Sequence, residues 1–277
     1  MKPDFEIKEY TVPISDLLAL RIYADTKPRN WKTANLQKGL IFVYKDAETV
    51  GEGTGFGVPV VKYDDETYFS GASRVYVSQQ KSSTIVRKEF FMDKIARNKF
   101  KGIRLENKKL RAVLRRNAEL YQRHRHLRSL LLKDLYVKAG IQSSFVNTAS
   151  IGKTIVTYRI SQDHVKVKAD FSLLNRKKVQ KFFMFNEQGT KFFKKYTDSQ
   201  GTYAVNKEIG AWDAVETEWA SITNLQGNVG FRLKNSENSV LRRGQEFLEN
   251  CLDWAGLDYE INPESSIFEY AIEILKT

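Results

Sequence analysis

His164 is the one histidine of this chain that lies outside its most basic segment, and its type suits proton transfer. It follows Asp163 at the start of an alternating segment. A histidine beside a carboxylate can act as a general acid or base near neutral pH. Glu218 is a second candidate for the same chemistry. The alternative for His164 is a hairpin-tip residue with no chemical role, because no Ser-His-Asp arrangement can be inferred from linear spacing.

Aromatic and arginine side chains in the second half of the chain are candidates for ligand binding. Trp212, Trp219 and Trp254 follow one another closely, with Tyr203 shortly before them. Aromatic rings on a sheet can stack on the apolar face of a sugar, and nearby arginines suit a polar or anionic ligand. The alternative is that these rings pack in the core. The predicted ligand-binding residues are Trp212, Trp219, Arg232 and Arg159.

One stretch of the chain carries its entire net charge. Residues 87–133 hold sixteen Lys or Arg against four acids, and the formal charge of the whole chain is +12. The remaining residues therefore carry 29 basic and 29 acidic side chains, which cancel. Apolar residues within this stretch recur at the three-and-four spacing of one helical face, which predicts an amphipathic helix over 105–132 within an insertion of about 105–136.

The basic side chains of this predicted helix have three interpretations. They could neutralise phosphates in a nucleic-acid complex, recruit acidic sugars or a protein partner as in an assembly protein, or form a solvated outer face while the leucines pack on a sheet. No RNA-binding aromatic signature accompanies them. The predicted anion-binding residues are Lys108, Lys109, Arg111, Arg115, Arg116, Arg123, Arg125 and Arg128.

The glycine-rich window Gly51–Gly57 does not predict a nucleotide site. Phe56 stands where a kinase phosphate loop has its third glycine, and no Walker pattern occurs in the chain. Glycines that let strands approach, bend or bulge explain the window better. The single cysteine excludes an internal disulfide and a cysteine-based zinc site. We therefore predict no metal and no cofactor, and the oligomeric state stays open.

The N-terminal residues have no apolar core and no small-residue cleavage site, and no apolar run is long enough to span a membrane. These features predict a cytoplasmic protein that makes no membrane contact. No segment is rich enough in Gly, Ser or Pro to be a flexible linker. We therefore predict a single domain over residues 1–277.

Most of the chain alternates with a period of two, which is typical of strands. A hairpin is predicted around 161–163, another pair of strands at 181–186 and 190–196 around 187–189, and two strands flanking the turn-forming stretch 224–229. Segments 17–23 and 243–252 could each be strand or helix. Many short strands in hairpin order predict a mainly β fold: a large antiparallel multi-sheet β-sandwich with a long basic helical insertion.

The late part of the chain resembles a known family. Trp212, the sequence Glu-Trp-Ala-Ser-Ile at 218–222, Gly-Phe-Arg-Leu at 230–233 and the closing strand 268–274 are similar to the last strands of the galactose-mutarotase-like β-supersandwich. The resemblance implies a supersandwich fold and a carbohydrate ligand held in a concave sheet. The histidine pair of the family's epimerases is not present here, so no catalytic residue is carried over. The expected function is carbohydrate binding or processing, with a preference for a polar or anionic ligand.

Overall fold

The computed structural model describes residues 5–24, 36–51, 53–101, 142–205, 212–248 and 251–276. Every regular element within these ranges is a β-strand. The strands are β1 (Phe5–Ile7), β2 (Glu9–Pro13), β3 (Leu18–Tyr23), β4 (Ile41–Tyr44), β5 (Ala47–Glu48), β6 (Gly55–Tyr63), β7 (Glu66–Gln80), β8 (Ser83–Lys101), β9 (Gln142–Ile160), β10 (His164–Asp170), β11 (Val179–Gly189), β12 (Phe193–Asp198), β13 (Thr202–Ala204), β14 (Asp213–Ala214), β15 (Trp219–Asn224), β16 (Val229–Lys234), β17 (Ser239–Leu248), β18 (Cys251–Ile261) and β19 (Ile267–Lys276). The described part of the chain contains no helix that could span a membrane.

Hydrophobic alternation explains most of these strands. In β10 and in the first part of β19 every second side chain is buried and those between them are more exposed, as expected for a strand with one face on a core. β6 differs because its first seven residues are all buried. It also contains Pro59, which lacks an amide hydrogen. Pro59 pairs with Met184 of β11, while β7 pairs only with residues 61–63 of β6, so the proline lies where the second neighbour is missing.

Fifteen strands form one antiparallel sheet that folds over on itself. The order is β13-β12-β15-β16-β19-β10-β9-β8-β7-β6-β11-β18-β17-β14, with β1 beside β7. The inner faces of β18 and β19 meet, since the ring of Tyr259 lies 5.1 Å from that of Phe268 and 4.8 Å from that of Tyr270. Phe171 and Phe182 stack at 4.2 Å. These contacts between strands distant in the sheet create two layers with a shared core.

A second sheet of four strands, in the order β2-β3-β4-β5, packs on this core. The ring of Phe42 on β4 lies 5.0 Å from that of Phe56 and 5.7 Å from that of Phe193. Lys88 of β8 is fully buried at the junction and donates hydrogen bonds to the backbone oxygens of Tyr23 and Lys38, both at 2.6 Å. Its ammonium therefore ties the small sheet to the large one.

Replacing Lys88 with methionine is expected to lower the free energy of unfolding by about 2 kcal/mol, because two buried carbonyl oxygens lose their donor. The apolar stem of the side chain is retained in this variant. Chemical denaturation measures the change, and Lys194→Met, at an exposed position, is the control. An unchanged unfolding midpoint for the Lys88 variant would contradict this role.

Two predicted hairpins are confirmed and one is wrong. β9 pairs with β10 around residues 161–163, and β15 pairs with β16 around 225–228. Residues 187–189 are not a turn: they belong to β11, which pairs with β6 and β18, whereas β12 pairs with β13 and β15. The first ambiguous segment is strand at 18–23, and the second is strand at 243–248, in β17, and at 251–252, in β18.

The predicted mainly β, antiparallel architecture is confirmed. The predicted helix over 105–132 lies outside the described residues. The front part of the basic stretch, residues 87–101, is the greater part of strand β8. The single-domain organisation and the cytoplasmic location stay predictions.

Candidate functional site

The predicted site residues are distributed over two separate regions. His164, Glu273 and Arg232 are directly paired across β10, β19 and β16 on the outer face of the sheet. The guanidinium of Arg232 lies over the Trp219 ring at 4.5 Å, so the structure brings these two predicted ligand-binding residues together. His164 accepts or donates a hydrogen bond at Nδ1 with the Ser161 hydroxyl, 3.0 Å away.

The other predicted residues have different surroundings. Arg159 is exposed on β9, one row of the sheet away from His164. Glu218 is exposed at the start of β15, where its backbone oxygen accepts the amide hydrogen of Asn235 at 2.8 Å. Trp212 lies on the other layer of the folded sheet and directly precedes β14 in the sequence. The predicted anion-binding residues of the helix, Lys108 to Arg128, lie outside the described residues.

The layer that holds Trp212 also contains two buried carboxyl groups. Glu187 of β11 and Asp258 of β18 are only 4% and 3% exposed. Glu187 pairs with Gly256, two residues from Asp258 on β18. Because side chains two residues apart share a face of a strand, both carboxyl groups lie on the same face of this layer. We call Glu187, Asp258, Glu246 and Trp212 the carboxyl cluster.

Glycines make the floor of the carboxyl cluster. Gly256 lies beside Glu187, and a Cβ atom there would come within 3.1 Å of its Cγ. Gly244 is the next residue across the sheet, on β17. A Cβ atom on Gly244 would be 2.4 Å from the Trp212 ring, so only glycine lets the indole lie this close to the sheet.

Glu187 is buried and accepts hydrogen bonds from Thr54. Its Oε2 accepts the amide hydrogen of Thr54 at 3.0 Å. Burial raises the pKa of Glu187 to about 7, and the charge of Glu246 contributes to the increase, whereas the Thr54 bond and the charge of Lys38 act in the opposite direction. A carboxyl group with a pKa near 7 can both give and take a proton at neutral pH.

Asp258 carries the second buried carboxyl group of the cluster. Its Oδ1 accepts the backbone amide hydrogen of Asn186 at 2.7 Å. Burial raises the pKa of Asp258 well above its usual range, and the negative charge of Glu187 raises it further. The Asn186 bond and Arg242 oppose this increase. Two carboxyl groups that share a poorly solvated site do not both ionise readily, so the pair retains a proton at neutral pH.

Trp212 contacts both the carboxyl group of Glu246 and the ring of Phe185. Its indole Nε1 donates to Oε1 of Glu246 at 2.8 Å, and its ring is parallel to that of Phe185, with 6.3 Å between centroids. Arg242 donates from Nε to the backbone oxygen of Trp212 at 2.8 Å and binds Glu260 at 2.8 Å. Trp212 has a positive φ of 65°, a strained conformation for a non-glycine residue that these contacts hold in place.

The carboxyl cluster, together with the adjacent ring of Phe185, therefore combines an acid with a pKa near 7, a second buried acid, an oriented carboxyl group and two partly exposed rings. Among the described residues no group of three His, Cys, Asp or Glu side chains is placed to hold a metal ion. The chemistry this arrangement can perform is proton transfer to and from a bound polar molecule.

Of this cluster, only Trp212 was among the predicted site residues. Glu187 lies in the sequence Glu-Gln-Gly, which has the composition of a turn and was interpreted as one. Asp258 and Glu246 follow the alternation of charged residues on β18 and β17 and resemble ordinary outer-face residues. The sequence did contain one signal for this site, the glycines Gly244 and Gly256 inside the two strands. Glycine inside a strand often marks a position where another part of the chain or a ligand comes close to the backbone.

Comparisons with known proteins identify no family for this chain. No protein-family model matches it, and no curated protein matches it. A solved structure of alpha-N-acetylgalactosaminidase NagBb from Bifidobacterium bifidum, in complex with GalNAc, is similar over 98% of this chain, with 9% sequence identity and a TM-score of 0.48. The chain spans 36% of the length of that enzyme's chain. A similarity at this level does not establish a shared fold, and the described residues are mainly β, in antiparallel sheets.

Proposed function

We propose that the carboxyl cluster binds and processes a neutral carbohydrate. The observation that carries this proposal is the parallel pair of half-buried rings, Trp212 and Phe185, beside two buried acids whose pKa values are raised. Sugars present an apolar ring face that stacks on aromatic side chains and hydroxyl groups that bind carboxylates. The resemblance of the late strands to the β-supersandwich family agrees with a carbohydrate ligand.

The acids restrict the ligand of this site to an uncharged one. The Glu246 carboxylate would repel a carboxylate or phosphate brought next to it, and Glu187 would add to this repulsion whenever it ionises. The predicted preference for an anionic ligand therefore does not apply to the carboxyl cluster. An anion preference based on Lys108, Arg115 and the other residues of the basic segment stays a prediction, as does the nucleic-acid alternative.

The proposed chemistry follows from the protonation of the acids. Glu187, with its pKa of about 7, is the proton donor to the oxygen that leaves the sugar. Glu246 is the carboxylate that accepts a proton from the attacking water, and the Trp212 Nε1–H bond orients it. Asp258, whose pKa is raised by burial and by the charge of Glu187, is the second acid beside the proton donor. The attacking water supplies the hydroxyl that replaces the leaving oxygen on the sugar. After the products leave, the proton held by Glu246 returns to Glu187 through solvent, so both groups regain their starting protonation.

Trp212→Ala is expected to weaken the binding of a neutral sugar at least ~10-fold, because stacking is lost and Glu246 loses its orienting donor. Isothermal titration with a panel of neutral oligosaccharides measures this. Trp219→Ala, which changes a half-buried tryptophan of the outer face, is the matched control and should keep wild-type affinity. Equal affinities for both variants would contradict the proposed site.

A further inference from the structure

Several basic side chains on the outer face of the large sheet pair with acids from the neighbouring strand. Lys168 of β10 faces Glu269 of β19, and their charged atoms are 2.8 Å apart. Arg232 of β16 faces Glu273 of β19 at 3.4 Å. Both acids belong to β19, four residues apart, and both side chains project from the same face.

The position between these two acids on β19 breaks the pattern. Ala271 lies between Glu269 and Glu273 on the same face, and it is paired with Lys166 of β10. On its other side Lys166 is paired directly with Arg159 of β9. Arg159, Lys166 and Ala271 therefore lie side by side across β9, β10 and β19. In the rows on both sides of this one, β19 contributes an acid at the corresponding position.

Arg159 and Lys166 are exposed and form no ion pair within the part of the chain that the structure describes. Directly opposite residues on antiparallel strands have Cβ atoms about 5 Å apart, and like charges at such positions destabilise the sheet. Arg159 bonds only weakly to the Gln80 side-chain oxygen, at 3.4 Å, which does not neutralise it. Neither cation therefore has an acid directly opposite it. The acids diagonal to Lys166 on β19, Glu269 and Glu273, are paired with Lys168 and Arg232.

We propose that Arg159 and Lys166 form a binding site for a tetrahedral oxyanion, a phosphate or sulfate group. A guanidinium offers a planar pair of donors and an ammonium a compact charge, and the two together suit an anion with several oxygens. The small side chain of Ala271 leaves space beside Lys166. This site is separate from the carboxyl cluster, which lies on the other layer and takes an uncharged ligand.

A small oxyanion fits this surface better than a nucleic-acid strand. Single-stranded nucleic acids stack their bases on aromatic rings. The nearby rings of this face are covered by the chain's own arginines: Arg87 lies over Tyr76 at 4.6 Å, and Arg232 lies over Trp219 at 4.5 Å. No free ring lies beside Arg159 in the described rows, where its direct neighbours are Ile85 and Lys166.

Thermal unfolding in inorganic phosphate, inorganic sulfate, a sugar phosphate and chloride, all at matched ionic strength, tests the proposal. The wild-type melting temperature is expected to rise with the first three and not with chloride. The double variant Arg159→Gln, Lys166→Gln should lose this rise, and Lys234→Gln, an exposed lysine of the same strand as Arg232, should keep it. A larger response to the sugar phosphate than to free phosphate identifies an ester as the preferred source.

A second measurement separates anion binding from a structural role. In low-salt buffer without phosphate or sulfate, Arg159→Gln alone should leave the melting temperature unchanged or raise it, because the repulsion with Lys166 is removed. If Arg159 served mainly to bind Gln80, the same variant would melt lower. A lower melting point, an equal response of the double variant, or an equal effect of chloride on the wild type would each overturn the proposal. A nucleic-acid strand that outcompetes phosphate would overturn it as well.

Discussion

Replacing Glu187 with glutamine is expected to remove much of the loss of stability that the raised pKa of this residue causes as the pH rises from 5 to 8. The pKa of Glu187 is raised from its ordinary value of 4.5 to about 7 in the folded state. Between those values the folded protein binds more protons than the unfolded chain, so stability falls as the pH rises. A shift of this size corresponds to a destabilisation on the order of 3 kcal/mol above pH 7.

The glutamine variant retains the main contact of the site, because its amide oxygen can still accept the Thr54 amide hydrogen. At pH 5 the variant and the wild type should therefore differ little, and at pH 8 the variant should be the more stable. Urea denaturation at a series of pH values measures the difference. The pKa of Asp258 is also raised, so this residue too makes the free energy of unfolding fall as the pH rises. The dependence of stability on pH should therefore be weaker in the variant, but still present.

Glu264→Gln, at an exposed position, is the matched control and should follow the wild-type profile. Parallel stability profiles for Glu187→Gln and the wild type would show that Glu187 ionises normally. The proposed proton donor would then lose its physical basis. The same variant should also retain sugar binding through Trp212 while losing turnover, which separates the stability role of this residue from its chemical role.

The strands of the fold could be predicted from the sequence where one face meets water. β10 and β19 alternate over most of their length, and a short polar turn joins β9 to β10. Local sequence was sufficient there because buried and exposed residues alternate along each of these strands. The same holds for the pairing of β15 with β16, whose turn is rich in asparagine and glycine.

The pairing of β11 could not be predicted from local sequence. Its neighbours are β6 and β18, more than sixty residues away on either side, so no hairpin signal marks them. Residues 186–189 are buried on both faces of the strand. They therefore lack the alternation that would identify a strand, and their polar composition resembles a turn. Their polar groups are tolerated because distant strands satisfy them, as Thr54 does for Glu187. The carboxyl cluster was missed for that reason.

Asn186→Ala is expected to destabilise the protein on the order of 4 kcal/mol, the largest effect among the substitutions considered. Its side-chain oxygen accepts the Gly57 amide hydrogen at 3.1 Å and the Tyr270 hydroxyl at 2.8 Å, while its Nδ2 donates to the backbone oxygens of Met184 and Leu257 at 3.2 and 3.1 Å. All these groups are buried. Alanine would remove the partner that Asn186 supplies to two donors and two acceptors.

The position of Asn186 explains why one amide matters this much. It lies at a β-bulge, where the register of β11 with β6 shifts between residues 185 and 186. The bulge leaves the amide hydrogen of Gly57 without a partner in the ladder, and Asn186 supplies one. Its bond to Tyr270 crosses from one layer of the folded sheet to the other, and its backbone amide hydrogen goes to Asp258. The residue thus fixes both the layer contact and one acid of the carboxyl cluster.

A graded series tests this explanation by urea denaturation. Tyr270→Phe removes a single hydrogen bond, and Asn186 keeps its bond to Gly57, so a loss of about 1 kcal/mol is expected. Asn186→Asp keeps both accepted bonds but loses both donated ones and adds a carboxylate next to Asp258, so its stability should fall steeply as the pH rises. If Asn186→Ala were no more harmful than Tyr270→Phe, the bulge would not depend on this amide, and Asp258 would have to be positioned by other contacts.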